Sequence, residues 1–415
     1  MWLNLLLIFV PVSLALGYLF DLGPIWVFAT SIIAIVPLAE WIRRATEQMA
    51  HIAGPGIGGL LNITFGNVAE LIIALFVLTS GNTNVVKAQI TGSIIGNGLL
   101  GLGLAIFIGS IGRRQQRFNR EQAGLLSSLL ILSVIGLLVP AIFDYTETGL
   151  VAPQQVTSLD ENLSLAVSVV LLVVYAANLV YTLVTHRDIY GRGEEAAEGE
   201  GGQAGGKNGS QESGKQKSEG QSESSSKEQQ QSGARASGGS NGGEKSTDGQ
   251  SGEKSGKRWS VWKALGVLLA GTVFIAVEAE LVSGALESTA SQLGLSTFFL
   301  GVTVLAIVGN AAEYVAAVYF ARKDQMGMVL RVTLGGSIQI ALMMAPLLVI
   351  VSYFLGTPMD LVFTNPLELI AVAGVAFAVN AIAEDGETDW FEGVLLLGVW
   401  VLLAFAFFFA TPPGG

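Results

Sequence analysis

Long apolar stretches separated by short polar segments dominate the chain. Eleven stretches are long enough to cross a bilayer, which takes about 20 helical residues for about 30 Å of hydrocarbon. They lie near residues 3–20, 24–42, 57–79, 88–111, 122–143, 162–185, 261–286, 296–320, 328–354, 364–383 and 390–410. Backbone groups in lipid must pair within their own segment, and no stretch alternates like a barrel strand. The pattern therefore predicts an all-α polytopic membrane protein with 11 transmembrane helices.

The first apolar stretch differs from a secretory signal peptide. It lacks a basic n-region and an A-x-A-like cleavage site. We therefore expect it to be retained as the first helix.

Residues 187–258 interrupt the apolar pattern. They are rich in Gly, Ser, Gln, Lys and Glu and show no apolar periodicity, which is typical of a disordered linker. We predict an extra N-terminal helix at 1–23, a first five-helix repeat at 24–186, the linker at 187–258 and a second five-helix repeat at 259–415.

The basic residues predict the orientation. With eleven crossings, 21 of the 22 Lys and Arg residues fall on one side of the membrane, and the other side receives only Lys87. Because cytoplasmic loops carry the excess of Lys and Arg, we expect a cytoplasmic N-terminus, a cytoplasmic linker and an external C-terminus. The external loops are acidic, and we interpret those charges as solvated rather than as cation traps.

The two halves of the chain match each other in sequence. AEWIRRATEQMA at 39–50 aligns with AELVSGALESTA at 279–290, GNVAELIIA at 66–74 with GNAAEYVAA at 309–317, and KAQITGSII at 87–95 with RVTLGGSIQ at 331–339. The repeat unit is helices 2–6 and helices 7–11, and an odd number of helices inverts the second copy in the membrane. Inverted repeats are typical of secondary transporters, whose substrate site lies near the midplane where the repeats meet.

A GNxxE motif lies near the middle of one apolar stretch in each half. A carboxylate at that depth costs several kcal/mol, so Glu70 and Glu313 are predicted to be functional rather than packing residues. Asn67 precedes Glu70 by three positions, and Asn310 precedes Glu313 by three, so each amide is expected to share a helix face with its carboxylate.

Residues around the motifs extend the candidate site. Glycine at 66 and 309 lets the backbone kink and turn its carbonyl groups toward a cavity. Asn97 and Gln339 are candidate ligands from helices 4 and 9, although close packing of small residues is the alternative for those segments. The remaining candidates for the lining are Thr64, Gly66, Ser93, Gly309 and Ser337.

All these candidate ligands offer hard oxygen atoms, which suit Ca²⁺ and, less well, Mg²⁺ or Mn²⁺. Two neighbouring buried carboxylates do not both stay ionised without a metal, so at least one binds a proton. Metal and protons therefore compete for one site. If the site switches from one side of the membrane to the other only when it is occupied, this competition produces exchange of Ca²⁺ for H⁺.

The composition excludes several other classes. The chain has no Cys and only two His, so disulfides, thiolate zinc sites and cysteine nucleophiles are absent. No HExxH, GxSxG or nucleotide-binding loop occurs, which argues against an enzyme or an ATP-driven pump. The acidic balance, with a pI near 4.8, argues against nucleic acid as a partner.

The paired GNxxE motifs, the five-plus-five helices after an extra first helix and the cytoplasmic linker resemble the Ca²⁺/H⁺ antiporter family of the Ca²⁺/cation antiporter superfamily. The resemblance implies that Glu70 and Glu313 are the central ligands that exchange Ca²⁺ for H⁺. It also implies that Gln339 and the regions of Asn67 and Asn310 line the site. Helices 1 and 6 would move against the rest.

Two features depart from that family. Its linker often holds an acidic helix proposed to sense Ca²⁺, whereas this linker has 11 basic and 12 acidic residues, so we do not transfer the regulation. The motifs of helices 4 and 9 are out of register, since Ile95 aligns with Gln339 and Asn97 with Ala341.

Three further carboxylates lie near or within helices 2 and 7. The repeat relation of Glu40 and Glu280, with Glu278 beside them, suggests a proton or ion pathway. Carboxylates that snorkel from a helix end are the alternative.

The sequence thus favours a transporter that exports cytosolic Ca²⁺ in exchange for H⁺ by alternating access. A Na⁺-coupled Ca²⁺ exchanger on the same scaffold is the alternative, followed by a passive divalent cation channel. We expect no cofactor besides the transported ions, and Ca²⁺, H⁺ and the lipid bilayer as partners, without nucleotide or nucleic acid. Assembly into a homo-oligomer stays open. Without a targeting extension, a prokaryotic inner membrane is the expected location.

Overall fold

The computed structural model describes residues 2–20, 22–147, 153–182, 259–363 and 365–410. The linker predicted at 187–258 lies outside these residues. The described part folds into helices and one short ribbon. The helices are α1 (Leu3–Tyr18), α2 (Pro24–Phe65), α3 (Val68–Thr79), α4 (Thr83–Gly109), α5 (Arg120–Glu147), α6 (Pro153–Val180), α7 (Val261–Leu293), α8 (Thr297–Gly309), α9 (Ala311–Arg322), α10 (Met326–Leu355), α11 (Pro366–Asp385) and α12 (Trp390–Phe409). The strands are β1 (Gln116–Arg117) and β2 (Glu387–Thr388).

The helices are those of an integral membrane protein. Among the described residues, eight helices are long and apolar enough to cross a membrane, and the bent pair α8 and α9 adds a ninth if it forms one span. Large apolar side chains such as Phe354, Phe377 and Phe409 point outward and are more than three-quarters exposed. A soluble surface does not carry such a layer, whereas lipid covers it at no cost. The predicted all-helical membrane fold is therefore confirmed in this coarse form.

One predicted boundary differs from the structure. The pattern places separate helices at 24–42 and 57–79, but the backbone is helical without a gap over Pro24–Phe65 and breaks only before Val68. Ion pairs within α2 explain the extension, because Glu40 contacts Arg43 and Arg44 at the spacing that stabilises a helix turn. The polar residues after 42 thus continue the helix instead of forming a loop.

Local sequence signals set many helix ends. Ser260 and Ser296 accept hydrogen bonds from the first turns of α7 and α8, and Asn365 forms a capping box with Glu368 at the start of α11. At the C-terminal ends of α7, α10 and α11, Gly294, Gly356 and Gly386 adopt positive φ angles, which glycine tolerates without strain.

Contacts between the two halves build the core around the GNxxE segments. α2 packs along α7, and α3 also lies against α7. α4 approaches α8 so closely that a Cβ atom at Gly92 would overlap the carbonyl oxygen of Val302, so only glycine fits there. On the polar ends of the helices, β1 pairs antiparallel with β2, with Gln116 opposite Thr388. The halves therefore form one interlocked bundle in which α3, α4, α9 and α10 meet.

Candidate functional site

Both GNxxE motifs lie at interruptions of a helix. Asn67, between α2 and α3, has φ −109° and ψ 23°, and Asn310, between α8 and α9, has φ −96° and ψ 4°. The α8–α9 pair is bent by 53° at this point. Glu70 and Glu313 consequently lie in the first turns of α3 and α9, where the positive end of the helix dipole favours a carboxylate. The predicted kink beside the glycines is observed.

Glu70 is almost fully buried and is held by both halves of the chain. Its Oε1 atom accepts a hydrogen bond of 2.9 Å from Asn310 Nδ2 and another from the Ser93 hydroxyl. Asn310 Nδ2 also lies 3.0 Å from Ser93 Oγ. Gln89 Nε2 donates to the Glu70 backbone carbonyl at 3.2 Å. A carboxylate from one repeat is therefore positioned by an amide from the other.

Glu313 has the corresponding arrangement with fewer partners. Its Oε2 atom accepts a hydrogen bond of 3.0 Å from Asn97 Nδ2. Gly336 leaves the space for this pair, because a Cβ atom there would lie 2.5 Å from Glu313 Oε2 and 2.7 Å from Asn97 Nδ2. Asn97 belongs to a π-helical turn, Gly96–Gly101, whose counterpart in α10 is Ile340–Met344.

The amide partners differ from the expectation drawn from the sequence. Asn310 hydrogen-bonds Glu70 of the other repeat, and the amide that contacts Glu313 is Asn97. The three-residue spacing places two side chains on one face only in a continuous helix, and Asn67 and Asn310 occupy the break itself. Each carboxylate is therefore paired with an amide from the other repeat.

Several buried oxygen atoms near the carboxylates have no hydrogen-bond donor among the residues that the structure describes. They are Glu70 Oε2, Asn97 Oδ1, Asn310 Oδ1 and Gln89 Oε1. A buried acceptor without a donor costs about 1–3 kcal/mol, and a bound cation removes that cost. No three His, Cys, Asp or Glu side chains cluster tightly enough to hold a metal in the described part of the chain. Any cation here would rely on two carboxylates supplemented by amide, hydroxyl and backbone oxygens.

The remaining candidates divide between the site and its surroundings. Gln339 and Gly66 line the same cavity as Glu313, and Gly309 lies against Glu70, where a Cβ atom would be 3.1 Å from its Cγ. Ser337 instead faces the backbone carbonyls of Ile94 and Thr333, at 3.4 and 3.3 Å. The side chain of Thr64 lies outside the described part of the structure.

A cavity of about 390 Å³ leads to Glu313. Its wall includes Arg43, Glu47 and Arg331, which the charge pattern assigns to the cytoplasmic ends of their helices. Glu313 thus borders an open cavity whose wall also includes residues from the ends of the helices.

The three carboxylates of the expected pathway have different environments. Glu40 is buried and ion-paired, with Oε2 2.8 Å from Arg43 Nε and Oε1 2.6 Å from Arg44 Nε. Glu278 is fully buried in α7 and accepts a hydrogen bond of 2.6 Å from the Ser13 hydroxyl of α1. Glu280 is exposed. Glu40 and Glu278 thus have different partners, the arginines of α2 and a serine of α1.

Sequence reasoning missed two buried polar contacts. The candidate ligands drawn from the sequence do not include Gln89 of α4, although Gln89 lies one helical turn before Ser93 and therefore on the same helix face. Glu368 of α11 is also buried and accepts a hydrogen bond of 2.9 Å from the Thr91 hydroxyl. In the sequence Glu368 reads as the acid of a capping box, and such an acid is usually solvated, so its burial was not predictable.

A buried glutamate, Glu70, and a partly buried one, Glu313, lie at helix breaks in a bundle of membrane-spanning helices, which defines a polytopic membrane protein with an ionisable intramembrane centre. The profile of the sodium/calcium exchanger protein family matches residues 23–184 and 263–409. The chain belongs to this family, whose members are transporters, which confirms the superfamily resemblance read from the paired motifs.

Individual relatives agree with this assignment. The chain is 41% identical to the Ca²⁺/H⁺ antiporter of Synechocystis sp., over 97% of this chain and 96% of the relative. It is 36% identical to the Ca²⁺/H⁺ antiporter ChaA of Bacillus subtilis, over 96% of both chains. The structure of native YfkE superimposes with a TM-score of 0.73 and 31% identity, covering 99% of this chain and all of the other.

Proposed function

We propose that the protein exchanges Ca²⁺ for H⁺ by alternating access and thereby exports Ca²⁺ from the cytosol. One observation carries the proposal: two glutamates, the buried Glu70 and the partly buried Glu313, lie at helix breaks, and each accepts a hydrogen bond from an amide of the opposite repeat. The relatives named Ca²⁺/H⁺ antiporter match almost the full chain, which supports the same activity here.

The chemistry follows from the oxygen atoms that the site offers. Glu70 and Glu313 neutralise the two charges of Ca²⁺, and the amide and hydroxyl oxygens of Asn97, Asn310 and Ser93 complete a flexible shell. Asn67 and Gln339 contribute to the lining. When Ca²⁺ leaves, protons replace it on the carboxylates, because two neighbouring carboxylates within the bundle repel each other. Protons and Ca²⁺ therefore never occupy the site fully at the same time.

The finer architecture forms part of the proposal. Helix 1 at 1–23 precedes two inverted five-helix repeats at 24–186 and 259–415, joined by the cytoplasmic linker at 187–258. The N-terminus is cytoplasmic and the C-terminus external, in a prokaryotic inner membrane. The distribution of Lys and Arg supports this orientation, and α8 with α9, and α3 with the end of α2, serve as the broken helices of the two repeats.

Transport by purified protein in lipid vesicles tests the function. A pH gradient imposed without ATP or Na⁺ should drive ⁴⁵Ca²⁺ uptake against its concentration gradient, and a protonophore should abolish it. Glu70→Gln and Glu313→Gln should each reduce uptake to background. Glu384→Gln removes the same charge at the exposed end of α11 and should transport normally.

Two outcomes contradict the proposal. Uptake that ignores the pH gradient but follows an imposed Na⁺ gradient assigns the protein to Na⁺-coupled exchange. Flux that only runs downhill, whichever gradient is applied, assigns it to a passive channel.

A further inference from the structure

One acid of the outer loops is not solvated as the sequence predicts. Asp160, in the second turn of α6, is only 6% exposed. Its Oδ1 atom is buried and has no hydrogen-bond partner among the residues that the structure describes. An ionised carboxylate in such a place is strongly unfavourable unless a proton or a cation compensates its charge. The environment of Asp160 therefore calls for a positively charged ligand.

A second acid lies against Asp160 from the neighbouring helix. The carboxyl group of Asp144, near the end of α5, is in hydrogen-bonding contact with that of Asp160. Ionised carboxylates accept hydrogen bonds but cannot donate them, so this contact holds only when a proton or a metal cation lies between the two groups. Asp144 is only partly buried, so ions from solution can reach the pair.

The nearby lysine does not neutralise this pair. Lys87 of α4 and Asp360 of the loop between α10 and α11 both act electrostatically on Asp160. Lys87 Nζ, however, donates hydrogen bonds of 2.9 Å to Asp360 Oδ1 and to the carbonyl oxygen of Val362. Three aspartates therefore surround one lysine, and two negative charges stay uncompensated when all four groups are ionised. These four residues, Lys87, Asp144, Asp160 and Asp360, are called the outer junction below.

The backbone fixes the position of the outer junction. Ser164, one turn beyond Asp160 and fully buried, accepts a hydrogen bond of 2.9 Å from the backbone N–H group of Leu361. The loop that follows α10 is thus held against α6, in addition to its contact with Lys87 of α4. The acids of the junction consequently lie on elements that are packed together, rather than on free loops.

We propose that Asp144 and Asp160 bind a partly hydrated divalent cation, such as Ca²⁺ or Mg²⁺, at the outer junction. Two uncompensated carboxylates match its charge, and a site with only two carboxylates leaves several of its waters in place. The ion supplies the missing partner of Asp160 Oδ1 and joins α5 to α6, which would otherwise repel each other. The helices of this site contribute neither Glu70 nor Glu313, and the charge pattern places it with Lys87 on the external side. The site does not depend on the proposed exchange.

Equilibrium binding of ⁴⁵Ca²⁺ to protein without the central acids tests this site. In Glu70→Gln/Glu313→Gln protein at alkaline pH, about one Ca²⁺ per chain should stay bound at saturation. Further substitution of Asp144→Asn or Asp160→Asn should remove this residual binding. Glu161→Gln is the matched control, because it removes the same charge from the adjacent, more exposed position of α6 and should leave the binding unchanged.

Thermal unfolding gives a second readout. Ca²⁺ should raise the unfolding midpoint of the Glu70→Gln/Glu313→Gln protein by a few degrees, because the ion binds the folded chain and not the unfolded one. The increase should be absent once Asp144→Asn is added. Asp144 is partly exposed and asparagine keeps its shape, so this variant carries the test even where the buried Asp160→Asn fails to fold.

Two results overturn the site. Absence of Ca²⁺ binding to the Glu70→Gln/Glu313→Gln protein at every pH shows that Asp144 and Asp160 share a proton only. Residual binding that survives both Asp→Asn substitutions places the ion elsewhere. Neither result bears on the exchange function, which pH-driven uptake by the unmodified protein tests separately, and failure of that uptake leaves the outer site standing.

Discussion

Asn310 donates a hydrogen bond of 2.9 Å to the carboxylate of Glu70, although 240 residues separate them in the chain. The amide of one GNxxE motif thereby orients the acid of the other. Charge-assisted hydrogen bonds of this kind are stronger than neutral ones, so the contact ties both broken helices to one point. The Glu70 carboxylate is consequently held by residues of both repeats.

Removal of this amide should weaken Ca²⁺ binding. Asn310→Ala deletes a hydrogen bond to a charged group, worth about 1.5–3 kcal/mol, and should raise the Ca²⁺ concentration for half-maximal uptake roughly 10- to 100-fold. ⁴⁵Ca²⁺ uptake at varied Ca²⁺ concentration measures the effect. Asn162→Ala is the control, because that amide bonds an exposed carbonyl of its own helix. Equal affinities in the two variants would contradict the role of Asn310.

Adjacent glycines in α10 provide a steric test of the Glu313 contact. A Cβ atom at Gly336 would lie 2.5 Å from Glu313 Oε2, whereas one at Gly335 meets nothing within 4 Å. Gly336→Ala should displace the carboxylate from Asn97 and reduce the transport rate about tenfold or more. Gly335→Ala should transport normally, and both variants should keep their thermal stability. Equal transport by both would show that the Glu313–Asn97 geometry is unimportant.

Ca²⁺ affinity should fall as the pH falls. Ca²⁺ requires both carboxylates ionised, and each proton that it displaces weakens binding by up to about tenfold per pH unit in the range where that proton is bound. Equilibrium ⁴⁵Ca²⁺ binding to detergent-solubilised protein, measured across pH, gives the slope. Glu278→Gln, which removes another buried acid, should keep the slope of the unmodified protein. A flat profile for the unmodified protein would argue against competition between protons and Ca²⁺.

Glu40 should act by neutralising its arginines rather than by carrying ions. Its side chain is 4% exposed and contacts Arg43 and Arg44, so Glu40→Gln leaves excess positive charge beside the cavity. We expect Glu40→Gln to slow Ca²⁺ uptake, because the cavity then repels cations. Addition of Arg43→Gln should restore much of the rate. A double variant as slow as Glu40→Gln alone would instead support Glu40 as part of an ion pathway.

The sequence located the paired acids but not their partners. The matching GNxxE motifs singled out Glu70 and Glu313, and both lie beside helix breaks within the bundle. Their cross-pairing with Asn310 and Asn97 was not predictable, because a linear repeat does not specify how two interrupted helices cross. The repeat also misleads at Ser337. Its counterpart Ser93 hydrogen-bonds the Glu70 carboxylate, whereas the Ser337 hydroxyl contacts backbone carbonyl groups.

The sequence by itself determined the class of this protein. Apolar stretches long enough to span lipid require helices, and two acids at matching positions of the repeat predict an ionisable centre among those helices. Only the tertiary structure decided that α2 continues to Phe65, which oxygens meet, and which face of the site is open. Hydrophobicity is a property of each segment alone, whereas partners and access depend on how helices from distant parts of the chain pack against one another.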